Sequence, residues 1–293
     1  MAKFSSPAKQ AISVIKTLQG TVIKSIGTAR NYQACLTRVA EYMKVEQSGS
    51  LRSLTVDQAQ VYLDKRSEIV SQSQLNMERQ AIQKMMKHVT DKLSGEGKLQ
   101  VIKSQIELAK KSRFYTRSQV EIIMNGQKEQ NALTTAIAYA CGLRAHEPYT
   151  LRKVEERAAH IRPSLQSKFL GREGVKYTVA GKGGLIREIL LPSTLSEKLE
   201  KLRLATPTRI KDRGVTYIQH YNINAGNRWS SSFSAASNRI LKRSSGGHGL
   251  RHSYAQERMK ELKYKGLSRA KALQTVSQEM GHFRPEITLV YLR

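Results

Sequence analysis

Residues 177–193, YTVAGKGGLIREILLPS, interrupt an otherwise helical sequence with a different apolar pattern. Tyr177 and Val179 alternate before the glycine-rich turn Gly181–Gly184, and a second apolar run at 186–191 follows it. Two short runs separated by such a turn are typical of a β-hairpin. A Pro-Ser pair then begins a helix again. The stretch therefore predicts a small antiparallel sheet inside a helical domain.

Helical spacing of apolar residues dominates the rest of the chain. Thr55–Gln58 (TVDQ) and Thr116–Gln119 (TRSQ) form capping boxes, in which a threonine and a glutamine three residues later start a helix. The predicted fold class is mainly α: an N-terminal helical bundle, then a mostly helical domain with a small antiparallel β-sheet. Further helices are predicted at about 74–93, 128–141, 231–243, 249–263 and 268–280.

The length of 293 residues suits two domains that each bury a core of their own. Residues 96–115 have mixed character and end in a basic patch, so we place the interdomain linker at their end. The predicted domains are residues 1–112 and 113–293.

The charge balance predicts a polyanionic partner. The chain has 50 Lys and Arg against 23 Asp and Glu, a net charge of +27. Residues 1–112 carry 18 basic and 9 acidic residues, and residues 113–293 carry 32 and 14, so both domains are basic. Nucleic acid is the favoured partner, because neutralising phosphates releases counterions. The basic residues of the first domain fit either a solvated face or a DNA clamp, and a merely basic soluble protein is the alternative.

Several protein classes are excluded or disfavoured. No apolar run approaches the roughly 18 residues needed to cross a membrane, and the N-terminus lacks the apolar block of a secretory signal. Residues 1–40 contain no acidic residue, which fits a basic helical arm better than an organellar transit peptide. Cys35 and Cys141 are too few for a disulfide framework or a cysteine-based zinc site and favour a reducing compartment.

Five short motifs carry candidate functional residues, each unremarkable alone. They are Gly142-Leu-Arg144-Ala-His-Glu147, Gly181-Lys182-Gly183, His248-Gly-Leu-Arg251, Gly281-His282 and Tyr291. A lone arginine is usually ion-paired, a lysine in a glycine-rich turn is usually solvated, and a terminal tyrosine usually packs on the core. Their order in one basic chain, however, resembles that of the tyrosine recombinase (phage integrase) family.

The resemblance covers the whole chain and implies a fold and an activity. It implies an N-terminal core-binding, SAM-like bundle that clamps DNA, followed by the catalytic domain of a site-specific recombinase. It implies that Tyr291 attacks the scissile phosphate, giving a 3′-phosphotyrosyl link and a free 5′-hydroxyl. His248 is then the candidate base, since histidine titrates near neutral pH.

The remaining roles also follow from the resemblance. Arg144 and Arg251 would grip the non-bridging oxygens with forks that stay charged at working pH. Lys182 would protonate the leaving 5′ oxygen, and His282 would hydrogen-bond the phosphate. Glu147 is a candidate for orienting an Arg or a His.

Cofactor and partner expectations complete this interpretation. No carboxylate pair suits Mg²⁺, so we expect metal-independent cleavage, with no cofactor and no bound metal. The expected partner is a double-stranded DNA recombination site, bound by a protein that is monomeric when free and a homotetramer in the synaptic complex. An accessory DNA-bending protein or a partner recombinase is a further possible partner. The expected setting is cytoplasmic and nucleoid-associated, for a prokaryotic or phage-encoded integrase of a mobile element.

Three features depart from the family pattern. Pro148 follows Glu147, where an aliphatic residue is usual, and is expected to bend the helix carrying that motif. The interval from Arg251 to His282 is longer than usual, with residues 261–268 as the expected insertion. The sequence ends two residues after Tyr291, so the docking of subunits in a tetramer is an open question.

Two alternative functions stay open at the sequence level. A type IB topoisomerase shares the attacking tyrosine, the arginine pair and the lysine. A non-catalytic DNA-binding or architectural protein would keep the scaffold alone, although no position of the motif is lost here.

Overall fold

The computed structural model describes residues 4–106, 112–282 and 284–293. The chain forms two compact units, Met1–Ala109 and Lys110–Arg293. The expected linker falls partly on residues 107–111, which lie outside the described residues. The division into domains 1–112 and 113–293, and their DNA-clamping and catalytic roles, stay predictions. Within the described parts, no helix is long and apolar enough to span a bilayer.

The first unit is a helical bundle. Leu36 and Met43 of its second helix pack with Ile82 and Met86 of its fourth, and all four are fully buried. Burying each such side chain contributes about 1.5–3 kcal/mol. The elements are α1 (Pro7–Leu18), α2 (Ile26–Val45), a 3₁₀ helix (Leu51–Ser53), α3 (Val56–Ser67) and α4 (Gln72–His88).

The second unit is mostly helical with two small antiparallel sheets. Its helices are α5 (Arg117–Asn125), α6 (Glu129–Cys141), α7 (Ser193–Glu200), α8 (Gly226–Leu241), α9 (Gly249–Tyr264) and α10 (Arg269–Glu279), with 3₁₀ helices at Glu147–Thr150, Lys182–Gly184 and Pro285–Leu292. Its strands are β1 (Arg152–Lys153), β2 (Val175–Ala180), β3 (Ile186–Leu191), β4 (Arg203–Asp212) and β5 (Val215–Tyr221). The mainly α fold class is therefore confirmed.

The predicted hairpin is the β2–β3 pair, with Tyr177 opposite Ile189 and Val179 opposite Arg187. β1 pairs with β2 on the other side, giving a three-stranded sheet in the order β1-β2-β3. Tyr177, Val179 and Ile189 pack on a core that contains Trp229, whose Nε1 donates to Thr135 Oγ1 at 2.9 Å. The sheet thus fixes the hairpin turn to the body of the second unit.

The sequence pattern predicts one small sheet, and the structure contains a second that it does not predict. β4 and β5 form a second, two-stranded sheet, joined by a turn in which Arg213 and Gly214 both have positive φ. One face of this ribbon packs through Tyr217, which stacks on Tyr149 at a centroid distance of 5.2 Å. The other face is exposed, so its strands lack the strong apolar alternation of β2 and β3.

Two helix boundaries and one local expectation also need correction. α4 ends at His88 rather than near 93, and α8 begins at Gly226 rather than 231, whereas both capping boxes are confirmed. Pro148 bends no helix, because α6 has already ended at Cys141 and Pro148 lies in the first turn of a 3₁₀ helix. Proline is tolerated there because the first turn of a helix leaves its N–H groups unpaired.

Candidate active site

Gly142 ends α6 and starts the loop that carries the first motif. Its φ of +60° is left-handed, and a Cβ there would lie 2.7 Å from the ring of Tyr254, so both conformation and space favour glycine. The chain then turns sharply, and Glu147 accepts from the Arg144 backbone N–H and from Arg144 Nη1, both at 2.8 Å. Glu147 is fully buried, whereas the Arg144 side chain is 22% exposed. The carboxylate thus holds Arg144 at an accessible edge of the protein.

Arg251 joins three separate segments from its place in α9. Its guanidinium is fully buried and donates to the backbone oxygen of Gly142 and, at 3.2 Å, to that of Met280. The same Nη2 lies 3.1 Å from His282 Nε2. Arg251 therefore fixes the ends of α6 and α10 relative to α9.

The C-terminal 3₁₀ helix brings Tyr291 against this arginine. The Arg251 guanidinium carbon lies 5.3 Å from the centroid of the Tyr291 ring, and the His282 ring stacks on that ring at 5.3 Å and 24°. His282 Nδ1 lies 2.8 Å from Thr288 Oγ1, which ties the histidine to the helix carrying Tyr291. Tyr291 is 9% exposed.

His248 borders Tyr291 from the start of α9. The two ring centroids are 5.4 Å apart, and His248 as a residue is exposed although its ring is partly dehydrated by its neighbours. His252, one turn later, lies closer to Tyr291 at 4.9 Å but is only 4% exposed. The sequence interpretation assigned His248 and overlooked His252, although both belong to the same HGLRH segment.

Arg187 was also overlooked, and it lies inside the cluster. Its Nη2 donates to Glu147 Oε2 at 2.9 Å, and its side chain is 6% exposed. Its inward position on β3, in line with Ile189 and Leu191, is the signal that could have revealed it. A charged residue on the buried side of a strand requires a partner.

Lys182 is placed differently from the other candidates. It lies in the exposed turn between β2 and β3, and no ion pair or hydrogen bond links its side chain to another described residue. The base of that turn is close to the cluster, since a Cβ on Gly181 would lie 3.2 Å from Glu147 Oε1. The hairpin thus ends beside the cluster while its lysine points to solvent.

The electrostatics of the cluster are dominated by buried arginines. Burial alone would raise the pKa of Glu147, but the charges of Arg187, Arg251 and Arg144 outweigh it and hold that pKa at about 2. Burial and the Arg144 charge lower the pKa of Arg251 to about 10, so it stays protonated at neutral pH. Glu147 is therefore an anion among three cations.

The histidines are neutral at physiological pH because burial, and after it the neighbouring arginine charges, lower their pKa values. Burial and the nearby Arg251 charge lower the pKa of His282 to about 3, and loss of hydration together with Arg251 lowers that of His248. A neutral imidazole can accept a proton, which a cationic one cannot. Among the described residues, no group of three or more His, Cys, Asp or Glu side chains is placed to hold a metal ion.

The cluster thus unites Arg144, Glu147, His248, Arg251, His282 and Tyr291, with Lys182 on the adjoining turn. It offers guanidinium groups for an anion, neutral imidazoles, and a phenol that could act as a nucleophile. A cavity of about 860 Å³ borders it at Arg187, Gly281 and His282.

Comparison with known proteins identifies the fold. No protein-family model and no curated protein sequence matches the chain. Among solved structures, the chain is similar to the XerH site-specific recombinase bound to its difH substrate, with 15% identity and a TM-score of 0.58 over 98% of this chain and 91% of that one. It is also similar to the Tn1549 transposon integrase in complex with transposon right-end DNA, with 15% identity and a TM-score of 0.59 over 99% and 95%.

A lambda integrase dimer bound to a COC′ core site shows a similar likeness, with 15% identity and a TM-score of 0.59 over 97% of this chain and 94% of that one. All three structures are tyrosine recombinases or integrases, and each match covers nearly the full length of both chains. The chain therefore has the tyrosine recombinase fold, as its motif order predicted.

Proposed function

We propose that this protein is a site-specific DNA recombinase that cleaves and rejoins strands through a 3′-phosphotyrosyl intermediate. The observation that carries the proposal is the packing of Tyr291, one of the five motifs, against His248 and Arg251 of a second motif and His282 of a third. Fold alone does not assign an activity, whereas this side-chain geometry brings together the groups that the reaction needs. The DNA-bound state of the similar structures is consistent with the proposal.

The proposed chemistry is a transesterification that needs no external energy. The Tyr291 hydroxyl oxygen forms a bond to phosphorus, the bond from phosphorus to the 5′ oxygen breaks, and Lys182 supplies a proton to that oxygen. His248 accepts the phenol proton, since its ring is neutral and next to Tyr291, and the residue is exposed. The reverse attack by a 5′-hydroxyl rejoins the strand.

Arg144 and Arg251 stabilise the charge that develops on the phosphate. Arg144 is held in place by Glu147 and remains partly exposed, so it can meet DNA directly. Arg251 is buried behind Tyr291 and acts at short range in a medium of low dielectric constant. We propose that His282 donates to a non-bridging oxygen from Nε2, the nitrogen that faces Arg251, when a phosphate replaces Arg251 as its partner; Nδ1 then accepts from the Thr288 hydroxyl.

The test uses duplexes that trap the intermediate. A library with a randomised sequence around a nick loses the short 5′-hydroxyl strand after attack, so any covalent adduct persists on a denaturing gel. Wild-type protein should form an adduct, and Tyr291→Phe should form none, because it lacks only the attacking oxygen. Equal adducts from both proteins would refute the assignment of Tyr291. Sequencing the DNA in wild-type adducts would identify the preferred site.

Two competing functions give different results. A type IB topoisomerase would relax supercoiled plasmid efficiently without sequence preference and without recombinant products. A non-catalytic DNA-binding protein would shift duplexes in a native gel yet leave no adduct under denaturing conditions.

The wider biological role forms part of the same proposal. It comprises integration or excision of a mobile element, a homotetramer assembled on two DNA sites, a monomer when free, and a cytoplasmic, nucleoid-associated location. Accessory bending proteins or a partner recombinase would act at that assembly. Sedimentation of the protein with and without the selected site should show a monomer becoming a tetramer, and a dimer as the largest DNA-bound species would contradict this part.

A further inference from the structure

The charge of the cluster exceeds what its own acid can balance. Arg144, Arg187 and Arg251 all act on Glu147, which bonds directly to the first two. Three guanidinium groups and one carboxylate leave a net charge of about +2 when the histidines are neutral. A buried site with such an excess is complementary to an anion.

The proposed reaction passes through a state with a matching charge. A phosphodiester carries one negative charge, and a phenolate attacking it brings a second, so the five-coordinate state carries two. Preorganised cations are most effective when they match charge that develops in the transition state. Among the groups that exchange no proton in the proposed reaction, Arg144 and Arg251 with Glu147 would provide only about +1, and Arg187 brings this fixed charge to about +2.

The hydrogen bonding of Arg187 is unlike that of an arginine with a purely structural role. Only its Nη2 has a partner among the described residues, whereas Nε and Nη1 are buried without one. Arg172 offers a contrast in the same unit: its Nε and Nη2 bond to Glu261, and its Nη1 donates to the backbone of Ala140. Leaving two buried donors unmatched costs stability, so packing alone does not explain Arg187.

The surroundings of Arg187 also fit tightly around it. Gly281 has a φ of +73°, and a Cβ there would lie 2.6 Å from Arg187 Cδ. The glycine before His282 thus leaves room for the arginine beside the histidine. The glycine of the Gly281-His282 motif and the arginine of β3 therefore belong to one arrangement.

We propose that Arg187 is a positioning residue of the DNA-cleaving site, which aligns Arg144 through Glu147 and supplies the cationic charge that matches the transition state. This inference rests on the proposed function. It assigns a role to a residue of β3 that the motif order did not include. Its defining consequence is that the importance of Arg187 depends on the charge of the scissile phosphate.

The test compares two substrates that differ by one charge. One duplex has an ordinary phosphate at the selected cleavage position, and the other has a methylphosphonate, in which a methyl group replaces a charged oxygen. The rate of adduct formation is measured at saturating protein for wild type and for Arg187→Met. Arg172→Met is the matched control, because it also removes a largely buried, ion-paired arginine from the second unit.

We expect Arg187→Met to slow adduct formation on the phosphate about 100-fold or more, with DNA affinity changed less than about threefold. On the methylphosphonate, the factor by which Arg187→Met slows adduct formation should be at least about tenfold smaller, because that substrate needs one cation fewer. Arg172→Met should slow adduct formation only slightly relative to wild type, and by the same factor on both substrates. Arg187→Lys, which keeps the charge, should recover about tenfold or more relative to methionine.

Equal losses on the two substrates, or a loss that appears in DNA affinity, would overturn the inference and leave Arg187 a structural residue. If the methionine variant does not fold, Arg187→Gln makes the same comparison, since it keeps a donor for Glu147 but lacks the charge. If wild-type protein forms no adduct on either substrate, the proposed function itself fails. The two failures are therefore distinguishable.

Discussion

Replacing Glu147 by glutamine tests whether this buried carboxylate holds the arginine cluster together. The substitution keeps the shape of the side chain but removes the negative charge that faces Arg144, Arg187 and Arg251. Three cations would then share a buried site without a counter-ion. We expect the second unit to lose much of its stability at neutral pH.

The magnitude follows from the pKa of the carboxyl group. Its value of about 2 in the folded protein, against an ordinary 4.5, corresponds to about 3 kcal/mol of unfolding free energy at pH 7. Removing one partner of a buried ion pair costs a similar ~3–5 kcal/mol. Because the folded pKa is depressed, this contribution is complete above pH 4.5 and is lost as the pH falls toward 2. About 2 kcal/mol of it should be gone at pH 3.

The single tryptophan of the chain makes the measurement specific to the second unit. Trp229 is fully buried in its core, so its fluorescence reports the unfolding of that unit in urea. We expect the difference between wild type and Glu147→Gln to be about 3 kcal/mol at pH 7 and to shrink to about 1 kcal/mol at pH 3.

A matched control separates this effect from a general loss of acidic charge. Glu121→Gln removes an exposed carboxylate that lies 3.9 Å from Arg117, and such a pair contributes at most about 0.5 kcal/mol. If Glu147→Gln unfolds within about 0.5 kcal/mol of wild type at pH 7, or if the difference does not shrink on acidification, the electrostatic account of the cluster is wrong.

Three further predictions concern the reaction. Arg144→Ala should leave DNA binding within about threefold of wild type while slowing adduct formation about 100-fold or more. It removes one phosphate contact among many but also a cation that stabilises the transition state. A parallel loss of binding and cleavage, in gel-shift and adduct assays, would contradict this division of roles. The pKa values of His248 and His282 are lowered in the free protein, and a bound phosphate raises them toward the ordinary 6.5. The rate of adduct formation should therefore be constant from pH 7 to 8 and fall only below about pH 6.5. A rate that already falls with decreasing pH above pH 7 would count against a neutral histidine. Since arginines supply the charge at the proposed phosphate site, excess EDTA should leave the cleavage rate unchanged, and full inhibition would disprove metal-independent cleavage.

Local sequence patterns predicted much of the fold. The capping box at Thr55 and the alternation around Tyr177 depend on neighbours only a few residues away, and both are confirmed. The β4–β5 ribbon was missed because one of its faces is exposed and polar, which weakens the alternation that marks a strand. Its β-branched residues on either side of Arg213-Gly214 were the available signal.

The candidate site was predictable only in part, for a different reason. Motif order indicated Arg251 and Tyr291, but their contact depends on the C-terminal 3₁₀ helix packing against α9. The contacts of His252 with Tyr291 and of Arg187 with Glu147 also form only when the domain folds. Sequence spacing does not contain these long-range distances.

The stability cost of the arginine cluster is itself an argument for function. Arg187 Nε and Nη1 and Arg251 Nε are buried without a hydrogen-bond partner among the described residues, and each unmatched donor costs about 1–3 kcal/mol. Replacing such a cluster with apolar residues of similar volume is often neutral or stabilising, so folding alone does not require it. A bound anion would offset part of this cost by balancing the excess positive charge. The same excess that weakens the free protein would therefore strengthen its hold on a phosphate as negative charge develops there.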